Sequence, residues 1–124
     1  MTDETAIDGL FDAAIERAIA SLPAAFAERL GSVAIVVDDE PSVEQLQSVG
    51  AGGLFGLYQG VPRTTFGAES VPVPSKITIF RGPLLRANGS GPALEAAIED
   101  VVLHEIAHHF GLSDARLLEL RRGS

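Results

Sequence analysis

The chain has 124 residues, with 17 acidic and 9 basic side chains, no cysteine and 46% hydrophobic residues. That length fits one domain with a real core, and the missing thiols exclude a disulfide framework and a thiolate metal site. The net charge of −8 comes from residues 1–62, which hold 10 acids against 2 bases, and it speaks against a nucleic-acid partner.

Ile7, Leu10, Phe11, Ala14, Ile15, Ala18, Ile19 and Leu22 recur at spacings of three and four. This is the stripe of an amphipathic helix, and Pro23 breaks it. The same N-terminal stretch is acidic, with no basic segment ahead of an apolar one, so no secretory signal is expected. No apolar run approaches the roughly 20 residues of a membrane span. The expectation is a cytoplasmic protein with no membrane partner. Ala24 to Leu30 predicts a short second helix ended by Gly31.

Ser32 to Val37 is a β-branched run of buried-strand length. Asp38, Asp39, Glu40 and Pro41 end it. The three acids read as a solvated loop, with a hard-cation site as the alternative. Residues 48–53 (SVGAGG) read as loop, and Leu54 to Gln59 as a strand interrupted by Gly56. Residues 60–75 form a long connection with three prolines. Connections of that length are usually functional or structureless. Lys76 to Arg81 (KITIFR) alternates like a half-buried strand, which Gly82 and Pro83 end. Arg86 to Pro92 reads as a turn-rich hinge, and Pro92 suits a first helical position.

The next helix, about Ala93 to Phe110, is apolar around most of its circumference, as core helices are. Yet His104, Glu105 and His108 stand in its most apolar stretch, VVLHEIAHHFG. Burying such groups costs several kcal/mol, roughly, unless they are paired or bind a metal. They spell H-E-x-x-H. Residues four apart lie about 40° from each other on one helix face, so both imidazoles reach one ion. Zinc suits the set, because it accepts imidazole nitrogen and keeps a water in an open position. Glu105 lies near enough to act on that water without being a ligand. Gly111 is placed to end the helix in a left-handed residue and turn the chain back toward the ion. Asp114 follows, as the favoured third ligand, with Glu119 as the alternative. Ser113 is free to cap the last helix, ARLLELRR. His109 reads as a packing or supporting residue, and Asp100 either as an orienter of His104 or as a solvated or capping residue.

HEIAHHFG in its helix resembles the zincin metallopeptidases. More narrowly, VVDDEP at 36–41, GLYQGVP at 56–62, KITIFRGPLLR at 76–86 and HEIAHHFGLSD at 104–114 are similar to the short bacterial minimal zincins. That resemblance implies an α+β fold. A small mixed sheet would pack on an N-terminal helix and the H-E-x-x-H helix, with a short C-terminal helix. It implies His104, His108 and Asp114 as zinc ligands and Glu105 as general base. It also implies a peptide or protein substrate pairing with an edge strand, here Lys76 to Arg81. The methionine turn of the related metzincins is absent, since Met1 is the lone methionine.

The function expected is therefore zinc-dependent peptide hydrolysis. Tyr58 or an arginine such as Arg81 could stabilise the oxyanion, but packing or a solvated position is the favoured reading of each. The alternatives are a zinc-binding peptide-interaction module with little turnover and a metal-dependent endoribonuclease.

Overall fold

The computed structural model describes residues 4–31, 33–49, 54–60 and 75–122. They form six helices and three strands. In chain order these are α1 (Glu4–Ala20), α2 (Ala24–Arg29), β1 (Ala34–Asp38), α3 (Val43–Val49), β2 (Gly56–Gln59), β3 (Lys76–Phe80), α4 (Arg81–Asn88), α5 (Pro92–Phe110) and α6 (Asp114–Arg122). The architecture is α+β, as the sequence implied. Most of the predicted 60–75 connection and residues 50–53 of the predicted loop lie outside the described residues. Among the described residues no helix is long and apolar enough to cross a membrane.

The sheet has the order β1-β3-β2. β1 runs parallel to β3, and β2 runs antiparallel to it. This overturns two expectations for KITIFR. The strand is not an edge but the middle of the sheet, bonded on both sides. Nor is it half-buried, because Ile77, Thr78, Ile79 and Phe80 are all buried. Period-two alternation signals one wet face only when the sheet's other face meets solvent. The edge beside the H-E-x-x-H helix is β2. Antiparallel alternation turns the backbone groups of Gly56 and Tyr58 to its outer side.

The core lies between α1, α5 and the sheet. Ile7, Phe11, Ala14 and Ala18 from α1 meet Leu94, Ile98, Val102 and Ile106 from α5, with Ile77 and Ile79 from β3. Gly56 lets β2 approach α5, since a Cβ there would lie 2.5 Å from Val101 Cγ1. On the surface, Arg17 ties α1 to Glu99 of α5 at 3.1 Å.

β3 ends at Phe80, and Gly82 and Pro83 fall in the first turn of α4, which takes the first three residues of the expected hinge, Arg86 to Asn88. Pro83 is tolerated there because first-turn N–H groups have no helical partner. Arg81, at the start of α4, pairs with Asp8 at 2.7 Å and with Asp39. Arg86 grips Glu40 through bonds of 2.7 and 2.9 Å, which hold the Glu40 carboxyl below its usual range. Two of the three acids, Asp39 and Glu40, thus bind arginines, and the third, Asp38, is the last residue of β1. α3 was not anticipated. Its signal is a capping box: Gln45 N–H donates to Ser42 Oγ at 3.0 Å, and Ser42 N–H donates back to Gln45 Oε1 at 2.8 Å.

Candidate metal centre

α5 is buried through Leu94, Ile98, Val102, Leu103, Ile106, Ala107 and Phe110, which fixes the rotation of the whole helix. That rotation leaves His104 and His108 half-exposed on one face, with ring centroids 4.5 Å apart. Glu105 is only 4% exposed and points into the same site. Its Oε1 lies 3.4 Å from His108 Nδ1, and its Oε2 lies 4.0 Å from His104 Nε2. The three side chains each offer a ligand-type atom within 4.8 Å of the others.

Glu105 is held from outside the helix. The outward-facing N–H of Tyr58, on β2, donates to its Oε1 at 3.0 Å. A backbone donor from an edge strand has no signature in the sequence, so this partner was not foreseen. The Tyr58 hydroxyl is engaged elsewhere. It lies 3.1 Å from both His109 Nδ1 and Ser75 Oγ. His109 itself is 1% exposed and packs edge-on against Tyr58 and Phe110. It is a supporting residue, as expected. Neither residue named for the oxyanion offers a free donor to the site: the Tyr58 hydroxyl has its two partners, and Arg81 is bound to Asp8 and Asp39.

The glycine turn forms as the spacing predicts. Gly111 adopts a left-handed conformation (φ 69°, ψ 28°). Leu112 N–H bonds Ala107 O at 2.8 Å and Gly111 N–H bonds His108 O at 3.1 Å, which is the Schellman pattern. Ser113 then caps α6, its Oγ accepting from Arg116 N–H at 3.1 Å. Asp114 is thereby released from capping and swings back to the site. Its carboxylate oxygens lie 2.8 and 2.9 Å from His104 Nδ1. Glu119 instead pairs with Arg116 at 3.0 Å and stands outside the cleft lining. Asp100 lines the cleft, but it is Asp114 that contacts the His104 ring, at Nδ1.

The donor set fits zinc. Two imidazoles share one face, and a buried carboxylate lies against both. A buried anion beside a cation costs far less than one alone. The site opens into a cleft of about 810 Å³ between β2, α5 and α6.

No curated protein is matched by the chain. Residues 30–124, from the end of α2 through α6, match the sequence signature of a family described as Zincin-like metallopeptidase. That stretch contains the sheet, the H-E-x-x-H helix and the glycine turn, and the chain belongs to the zincin-like metallopeptidase family.

Proposed function

We propose that the protein hydrolyses peptide bonds with a zinc ion held by His104, His108 and Asp114. The observation that carries this reading is the placement of Glu105. It is a buried carboxylate between two half-exposed imidazoles, at the wall of an open cleft. Zinc, when bound, supplies a lowered water pKa of around 7 and polarises the scissile carbonyl. Glu105 is the general base. The Tyr58 N–H pins one carboxylate oxygen, and Oε2 is the oxygen that takes the proton from water and passes it to the leaving amine. The peptide lies extended along β2, the sheet edge beside the site, and not along the interior strand β3.

One observation favours a second role for Asp114. Its contact is with His104 Nδ1, the ring nitrogen pointing away from Glu105. A carboxylate there accepts the Nδ1–H and fixes the ring, leaving Nε2 for the ion.

The test pairs two measurements on each sample, zinc per chain and turnover of a mixed peptide library. Glu105→Gln keeps zinc near the wild-type level, while turnover falls by roughly 10²–10⁴. Lost zinc in this variant, or undiminished turnover, removes Glu105 from the role of base. A zinc-loaded wild type that cuts no peptide returns the protein to the interaction-module reading, and cleavage of structured RNA instead would favour the nuclease.

A further inference from the structure

β2 is a short edge, four residues long and bonded to β3 on one side only. Edge segments held by few contacts open at little cost in free energy. Yet one residue of β2 is fastened to α5 twice. The Tyr58 N–H donates to Glu105 Oε1 at 3.0 Å, and the Tyr58 hydroxyl lies 3.1 Å from His109 Nδ1. Glu105 and His109 are four residues apart, so they stand about 40° from each other on the helix face that meets β2. The second fastening is built into the core. His109 is 1% exposed, and its ring packs edge-on to the Tyr58 ring with centroids 5.6 Å apart. Ser75 Oγ, just before β3, holds the same hydroxyl at 3.1 Å. Parting a buried imidazole nitrogen from its partner is costly, so the Tyr58 side chain is confined to this place. Its own backbone N–H is then confined over Glu105.

We infer that the Tyr58 hydroxyl and His109 form a clasp that seats the Tyr58 N–H on Glu105. Both are positioning residues: neither handles the reacting atoms, and both act through the carboxylate. With Oε1 held by the strand, the Glu105 side chain cannot rotate, and Oε2 keeps its place toward His104. What the clasp serves rests on the reading of Glu105 as general base, but the clasp itself is testable without turnover. The competing account is packing alone. Gly56 also brings β2 close to Val101, and that approach by itself would seat the strand.

Amide hydrogen exchange, followed by NMR on the whole protein, tests the clasp. Leu57 is the internal reference, because strand alternation turns its N–H inward to β3. Glu105→Ala should lower the protection of the Tyr58 amide by at least about fivefold, the net worth of one hydrogen bond. Tyr58→Phe keeps the ring and removes the hydroxyl, and His109→Leu removes the ring nitrogen. Each should lower Tyr58 protection as much, while Leu57 stays within about twofold of wild type. His109→Asn returns a polar atom near the place of Nδ1 and should restore much of the loss. If His109→Leu does not fold, Tyr58→Phe decides alone. Tyr58 protection that survives the loss of the hydroxyl, or that falls together with that of Leu57, overturns the clasp in favour of packing. Peptide turnover by the zinc-loaded protein then separates the two readings. Tyr58→Phe should lower kcat by about 10–100-fold with KM within about threefold, because a slightly displaced base loses that much. An unchanged kcat despite lost protection overturns the positioning role and leaves the peptidase standing. Lost protection in the variants, with a wild type that cuts no peptide, leaves the clasp standing and removes the peptidase.

Discussion

Helices α1 and α5 pack against each other through most of their length, yet they are built on opposite rules. α1 buries one stripe, Ile7, Phe11, Ala14 and Ala18, and leaves Asp8, Asp12, Glu16 and Arg17 to solvent. Its polar and apolar residues agree with its position. α5 buries residues around most of its circumference, and those include Glu105 and His109. There, residue type and position conflict. α1 also lies before the stretch that matches the zincin-like family, whereas α5 lies within it. The difference teaches that α1 supplies apolar surface, which many sequences can provide. α5 supplies donors at fixed places, which few can.

Substitutions can break this contrast. The largest effect is expected on α5. His104→Ala or His108→Ala should reduce bound zinc from about one equivalent per chain to below about a tenth, because the remaining ligands hold the ion poorly. Circular dichroism should stay near wild type, since both side chains are half-exposed. Full zinc occupancy in either variant would remove the motif from metal binding.

Phe11→Ala probes the other helix. Phe11 is wholly buried against α5, so truncation should cost about 3–5 kcal/mol of stability, read from the denaturant midpoint. Zinc content of the folded protein should not change. If zinc is lost while the fold holds, α1 does more than support α5, and the contrast fails.

The smallest effect sharpens the picture at Asp114. As third ligand, Asp114 should lose more than about a hundredfold in zinc affinity on change to either Ala or Asn. If it only holds the His104 ring, Asn still accepts the Nδ1–H and should stay within about tenfold of wild type, while Ala loses about 10–100-fold. Competition against a calibrated chelator distinguishes these outcomes.

Much of the candidate site was legible because it is local. H-E-x-x-H places its side chains by helix geometry alone, and the glycine turn with a capping serine needs just seven residues to bring Asp114 back. The α1 stripe was legible for the same reason. Lys76 to Arg81 was misread because a family resemblance does not fix strand order, and alternation does not show whether both faces of a sheet are covered. The ion pairs of Arg81 were not legible because its partners, Asp8 and Asp39, lie far away in sequence. α3 was legible in its capping box and went unread.

By itself the sequence determined which residues gather as the candidate metal site and which helix presents them, since helical spacing is set by backbone geometry. Tertiary structure alone decided that β2 is the edge, that the Tyr58 N–H holds Glu105, and that the Tyr58 hydroxyl meets His109. Each of these joins residues tens of positions apart. Such contacts depend on how the strands order and how the helices dock, which no local pattern encodes.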